Sequence, residues 1–172
     1  KPVRQADLFH TILTTLGKTN QDEKTEKKQI EQVEFMSLRI LLAEDNLVNQ
    51  KLALRILEKN GFTVEVANDG VEAVEAFKAR AFDLILMDIQ MPRMSGSVAA
   101  ERIRILEGKR GGHIPIVALT AHAMKGDCEA CLEAGMDSYL TKPITAEKLV
   151  STIMKVFTEL RPDTKQSDPS VG

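Results

Sequence analysis

Between residues 38 and 160 five short apolar runs alternate with five stretches of helical periodicity, which predicts an α/β domain of (βα)5 type. Two details refine that class. Leu84–Met87 and Ile114–Leu119 are continuously apolar, as strands buried on both faces are. Each run also gives way to a polar residue and then to a helix, never to a tight hairpin turn. A doubly wound parallel sheet, with helices covering each face, is the architecture that satisfies both.

The elements follow in order. Leu38–Ala43 is the first run, and it turns acidic at Glu44-Asp45. The next helix carries Val48, Leu52 and Ile56 on one face and stops at Asn60-Gly61. Thr63–Ala67 alternates like a strand. Asp69, with Glu72 three residues on, opens a second helix bearing Val71, Val74 and Phe77. Leu84–Met87 ends in Asp88. After the loop Gln90–Ser95, a helix turns Ala99, Ile103 and Leu106 inward. Ile114–Leu119 ends at Thr120. A helix from about Met124 to Ala134 stops at Gly135. Ser138–Thr141 is the fifth strand, and Lys142-Pro143 leads into a last helix with Leu149, Ile153, Val156 and Leu160 on one stripe. Ile144 and Leu149 flank Thr145 with the spacing of a hydrophobic staple.

Composition narrows the function classes. The formal net charge of −2 lacks the basic surplus of a nucleic-acid binder. No apolar run approaches the ~18 residues a membrane span needs, and no signal peptide opens the sequence. Two cysteines, Cys128 and Cys131, are too few for a disulfide framework, so a reducing, cytoplasmic setting is expected. Their CxxC spacing lacks the second ligand pair of a zinc site and reads as ordinary packing. Residues 17–37 read as a charged linker and 161–172 as a polar tail, which leaves 38–160 as the domain.

In open parallel sheets, ligands sit outside the carboxyl ends of the strands. Those ends present Glu44, Asp45, Asp88, Thr120 and Lys142. Taken singly, the acids and Thr120 read as helix caps or turn residues and Lys142 as a solvated surface lysine. Together they describe a different object. Three clustered carboxylates repel one another unless a cation sits among them, and Mg²⁺ suits carboxylate, water and phosphate oxygens. A carboxylate is ionised at neutral pH and attacks phosphorus without a separate base, while a hydroxyl and an ammonium receive phosphoryl oxygens. Phosphoryl transfer to an aspartate is the chemistry this set fits. The GKRGG run (108–112) lacks the spacing of a nucleotide-binding phosphate loop.

The motifs LLAEDN (41–46), LILMDIQMPRMSG (84–96), IVALTAHA (116–123) and CLEAGMDSYLTKPI (131–144) resemble, in order, those of the receiver (response-regulator) domain of two-component phosphorelays. The resemblance spans essentially all of 38–160. It implies a flavodoxin-like sheet of strand order 2-1-3-4-5, with Asp88 as phospho-acceptor. It further implies that Glu44, Asp45, Asp88 and the Gln90 backbone carbonyl hold Mg²⁺ (or Mn²⁺). Thr120 would be the switch hydroxyl, Lys142 the phosphate-binding lysine and Lys142-Pro143 a cis peptide. Tyr139 occupies the aromatic switch position, and Gln90 and His122 flank the site. The readout surface would be the fourth helix, fifth strand and fifth helix. One departure is Ser95, where the family usually has Asp; either caps the next helix.

A repeat points to the parent protein. KPVRQADLFHTIL (1–13) aligns without gaps to KPITAEKLVSTIM (142–154), so 1–16 is expected to be the last helix of a preceding receiver-like domain. Tandem receivers and the EDNxxN run (44–49) resemble the C-terminal part of a hybrid sensor histidine kinase. The implied partners are a histidine kinase core, in cis or in trans, and a histidine phosphotransfer protein. A membrane anchor, where the parent kinase has one, is expected in segments other than this stretch, which is not itself expected to insert in a membrane. No kinase nucleotide motif is present, and His10, His113 and His122 lie in no dimerisation-helix context. A pure interaction module would be marked by loss of Asp88, Lys142 or the acidic pair, and all are retained. An aspartyl-phosphate hydrolase would place a second Asp two residues after the nucleophile, where Gln90 stands. A DNA-binding output role would need more chain than follows Leu160.

Overall fold

The computed structural model describes residues 38–121 and 125–160. The expected preceding helix (1–16), linker (17–37), tail (161–172) and the residues His10, His122 and Met124 lie outside the described residues. Five strands and five helices alternate: β1 (Arg39–Ala43), α1 (Leu47–Lys59), β2 (Thr63–Ala67), α2 (Gly70–Ala79), β3 (Leu84–Asp88), α3 (Gly96–Arg110), β4 (Ile116–Thr120), α4 (Lys125–Glu133), β5 (Ser138–Thr141) and α5 (Ala146–Leu160). All neighbouring strands are parallel, in the order β2-β1-β3-β4-β5. Both the strand order and the parallel sense agree with the sequence reading.

Because side chains alternate across a strand, the central strands split their apolar residues between two cores. Leu41, Ile85, Met87, Ile116 and Ala118 face one layer, where they meet Ala73 and Val74 of α2, Ala99 and Ile103 of α3, and Cys131 of α4. Ile40, Leu42, Leu84, Leu86, Val117 and Leu119 face the other, against Ala53 and Leu57 of α1 and Leu149, Ile153 and Val156 of α5. Strands β3 and β4 are buried along their whole length, whereas β2 and β5 form the partly exposed edges. The burial of Cys131 accords with a packing role.

The helices start and stop on identifiable caps. Asn46 accepts from the Val48 and Asn49 backbone N–H groups at 2.9 and 3.3 Å, and Asp69 accepts from those of Val71 and Glu72 at 2.8 and 2.9 Å. Gly135 follows α4 with φ 87°, a left-handed geometry that glycine adopts without strain. Replacing Asn46 by Ala removes its cap oxygen and should cost about 1 kcal/mol in urea unfolding. An unchanged midpoint would show that water serves those N–H groups equally well.

Only part of the apolar face of α1 meets the sheet, since Ile56 packs against the core and the rest does not. Its buried face is Gln50, Ala53 and Leu57, while Leu47, Val48 and Leu52 are exposed at 64%, 74% and 43%. The stripe through Val48 and Leu52 therefore faces solvent. Small Ala53 lets the helix lie close on the sheet, and a polar residue, Gln50, occupies an inward position because partners wait for it there.

Candidate functional site

Sheet register brings the strand ends together. Ala43 pairs with Met87, so Glu44 and Asp88 emerge side by side; Asp88 pairs with Leu119, and Thr120 with Thr141. The Lys142 backbone N–H donates to the Thr120 carbonyl at 2.7 Å, which carries the lysine to the same edge. The Lys142-Pro143 peptide is cis, as expected. A cavity of about 310 Å³ opens there, lined by Glu44, Asp45, Asp88, Gln90, Thr120 and Lys142 among others. A larger one of about 410 Å³ lies at the opposite edge of the sheet, beside Arg110, His113 and Phe157. Among the described residues the one cluster of three carboxylates, Glu44, Asp45 and Asp88, lines the smaller cavity.

Asp88 is buried at the end of β3. One carboxylate oxygen accepts the Gln90 backbone N–H at 3.1 Å, and the other accepts Lys142 Nζ at 2.7 Å. Glu44 is also buried. Its Oε1 accepts from the Asn46 N–H at 3.2 Å and from Asn49 Nδ2 at 3.0 Å. Its Oε2 lies 2.8 Å from Lys142 Nζ as an ion pair, yet receives no properly directed hydrogen bond. Asp45 is exposed at the rim. Lys142 is thus one ammonium shared by two buried carboxylates, and that sharing explains the titration of the pair. Burial pushes the Asp88 carboxyl above the ordinary range; Lys142 relieves it only in part, and the neighbouring Glu44 charge raises it further. For Lys142 burial acts downward, but its hydrogen bond to Asp88 and the negative charge of both acids outweigh it and lift the ammonium above its ordinary value.

Glu44, Asp45 and Asp88 each bring an oxygen within 4.8 Å of the others. That donor set, with an undirected buried oxygen on Glu44, fits a hard divalent cation. Thr120 is buried at the end of β4 and lines the cavity. Tyr139 stands apart on edge strand β5, 44% exposed.

Sequence reading missed three contributors. Asn49 braces Glu44. Gln50 donates from Nε2 both to the Glu44 carbonyl at 2.5 Å and to Asn68 Oδ1 at 3.0 Å. Arg93, in the loop after Asp88, reaches Asp69 and Glu72. The Asn residues of EDNxxN were a visible signal, since they sit two and five positions after Glu44; nothing local marks Arg93.

Comparison with known proteins agrees with this geometry. The response regulator receiver domain family matches residues 40–154. The chain is 50% identical over 120 residues to hybrid signal transduction histidine kinase I of Dictyostelium discoideum, a match covering 67% of the chain and 7% of that protein. It is 46% identical over 118 residues to the sensor protein GacS of Pseudomonas syringae, covering 68% and 13% respectively. The chain therefore spans only a small part of these relatives. Among solved structures, the receiver domain of a Pseudomonas aeruginosa sensor histidine kinase, with magnesium coordinated in its active-site cleft, is 39% identical with a TM-score of 0.65. That match covers 71% of this chain and 98% of the other. A Saccharomyces cerevisiae receiver domain, crystallised with a histidine phosphotransfer protein, is 33% identical with a TM-score of 0.70, covering 74% and 94%.

Proposed function

The chain belongs to the response regulator receiver domain family, the kind carried by hybrid histidine kinases, and from that premise we propose that Asp88 accepts a phosphoryl group from a phosphohistidine. The observation that carries this reading is Asp88 itself: a buried carboxylate at a strand end, held by an ammonium and a backbone N–H beside two further acids. An Asp88 oxygen attacks phosphorus, forming the O–P bond as the P–N bond breaks; the electron pair goes to the imidazole nitrogen, and the ring, already protonated on its other nitrogen, leaves as neutral imidazole. Lys142 follows the charge from the carboxylate to the transferred oxygens as a point charge, and the Thr120 hydroxyl donates to another. Glu44, Asp45, Asp88 and the Gln90 carbonyl would hold Mg²⁺ or Mn²⁺, which when bound would supply positive charge against the carboxylates and the phosphoryl oxygens. Gln90 lines the cavity beside the phosphorylated carboxylate.

Drawing Thr120 inward vacates space into which Tyr139 turns, biasing a pre-existing equilibrium of the α4–β5–α5 surface. The partner supplying or receiving phosphate is a histidine phosphotransfer protein. Supporting this, Leu47, Val48 and Leu52 form an exposed apolar patch on α1, immediately after the Glu44-Asp45 turn. The parent is a hybrid histidine kinase, and the repeat between 1–13 and 142–154 supports a second receiver-like domain before this one. Among the described residues no helix is long and apolar enough to cross a membrane. Nothing observed favours a module that keeps the fold without accepting phosphate.

Intact mass after incubation with acetyl phosphate and Mg²⁺ tests the assignment. A gain of about 80 Da, one phosphoryl group, is expected in the parent and none in Asp88→Asn. A gain that persists in Asp88→Asn moves the site elsewhere. No gain with either acetyl phosphate or a phosphohistidine donor would reduce the domain to an interaction module.

A further inference from the structure

The loop between β3 and α3 carries Gln90 out of the site and back, and a single side chain fastens its far turn. Arg93 has φ 60°, a left-handed backbone that a residue with a Cβ adopts only when its surroundings hold it there. Its Nε donates to Asp69 Oδ2 at 2.5 Å, and its Nη2 contacts the same oxygen and Glu72 Oε1, the latter at 3.2 Å. Asp69 is a rigid anchor, because it is buried and already caps α2. The loop also lies directly on that helix end: a Cβ on Gly70 would meet the Met94 carbonyl oxygen at 2.5 Å. At its near end the loop is fixed by the Ile89 N–H to the Leu119 carbonyl, 3.2 Å, and by the Gly96 N–H to the Ile89 carbonyl, 3.0 Å.

The same anchor reaches the other half of the cleft. Glu72 Oε2 accepts from the Asn68 backbone N–H at 2.9 Å and from Asn68 Nδ2 at 2.8 Å. Asn68 Oδ1 accepts from Gln50 Nε2, and that nitrogen also donates to the Glu44 carbonyl. One hydrogen-bonded chain therefore runs Arg93–Glu72–Asn68–Gln50–Glu44. It ties the loop bearing Gln90 to the turn bearing Glu44 and Asp45.

We propose that Arg93 is a positioning residue: through Asp69 and Glu72 it holds the Gln90 loop at a fixed spacing from the Glu44 turn, and so sets the affinity of the cleft for a divalent cation. The inference rests on the metal-binding reading above. Groups that orient metal ligands without touching the metal commonly change its affinity by an order of magnitude, and Arg93 acts one step further out. Loss of Arg93 should therefore weaken Mg²⁺ binding while leaving the attacking carboxylate and its lysine in place.

Mg²⁺ titration calorimetry on the chain and its variants tests this. Arg93→Gly removes the guanidinium without leaving a side chain strained in the left-handed region. It should raise the Mg²⁺ dissociation constant roughly fivefold. The rate of Asp88 phosphorylation by acetyl phosphate should recover to within about twofold at saturating Mg²⁺, a split between affinity and maximal rate. Arg93→Lys, which keeps the charge but cannot bridge both acids, should fall in between. Asp69→Asn keeps the helix cap and removes the anchoring charge, and should repeat the Arg93→Gly result in a chain whose fold is intact. Unchanged Mg²⁺ affinity in both variants, whether or not the melting temperature moves, would make Arg93 a structural pair only and overturn the proposal. A parent chain that binds no Mg²⁺ would instead sink the metal reading on which the proposal stands.

Discussion

A Gly96→Ala chain is expected to lose about 3 kcal/mol of stability or more, with a melting temperature lower by about 10 °C. Gly96 opens α3 directly behind Asp88, and a Cβ there would lie 2.1 Å from the Asp88 carbonyl oxygen and 2.9 Å from both Asp88 C and Met87 Cγ. Two of those three atoms are backbone, so no side chain can swing away to make room. Either α3 retreats from the sheet or the end of β3 bends, and both displace the Asp88 carboxylate. Phosphorylation should therefore fall even in the fraction that remains folded. Gly108, in the same helix, is the internal control: nothing lies within 4 Å of its Cβ position. Gly108→Ala should stabilise by about 0.5–1 kcal/mol, because alanine loses less conformational freedom in a helix. Equal effects at the two positions, measured by thermal and urea unfolding, would refute the steric argument.

Lys142→Met is expected to slow phosphoryl transfer to Asp88 by about 10²–10³-fold, the usual consequence of removing one charged group aimed at a transferring oxyanion. It should also destabilise the fold by about 1–3 kcal/mol at pH 7, since it leaves Glu44 and Asp88 buried together without their shared cation. The pH dependence separates this from lost packing. A carboxyl whose folded-state pKa is raised binds its proton more tightly folded than unfolded. Its contribution therefore weakens the fold as pH rises from about 4 through the raised folded value. The direction for Asp88 is upward already, and without Lys142 the remaining causes, burial and the Glu44 charge, push it further. The variant's deficit against the parent should therefore shrink as pH falls from 7 toward 5. In the parent the Lys142 ammonium acts in the opposite sense: its folded-state value is raised, so it stabilises at neutral pH, and that contribution is lost only as pH climbs through the folded ammonium value. A deficit of the same size at pH 5 and pH 7 would show that the lysine mattered for packing alone.

The sheet and most of the cleft were readable because both follow from local patterns. A continuous apolar run such as Leu84–Met87 can only be a doubly buried strand in this context, and the polar residue ending it has one place to go. Glu44, Asp88, Thr120 and Lys142 were located by that rule alone, and the structure gathers all four. The rule gave no warning that Glu44 would be buried and Asp45 exposed, because that depends on how Asn46 and Asn49 turn the chain into α1. Which way the apolar face of α1 turns was not legible for a related reason. Periodicity reports an apolar stripe without saying what it meets, and here the inward position is filled by a hydrogen-bonded Gln50 while Val48 and Leu52 stay outside. Arg93 was invisible for a third reason: its partners lie more than twenty residues away, and no spacing rule links a loop arginine to the cap of an earlier helix.

The partly exposed edges of the sheet bear on how copies of this domain behave when crowded together. An edge strand offers its unsatisfied backbone as a template for strands of other chains, and short, charged edges resist that recruitment. Strand β5 has only four residues. Strand β2 places Glu65 within 2.6 Å of Arg80, so an approaching strand would meet a formed ion pair rather than a flat apolar ribbon. Concentrated or tethered copies should thus resist fusing into a continuous intermolecular sheet and remain separately folded units, free to exchange partners through their helices and loops.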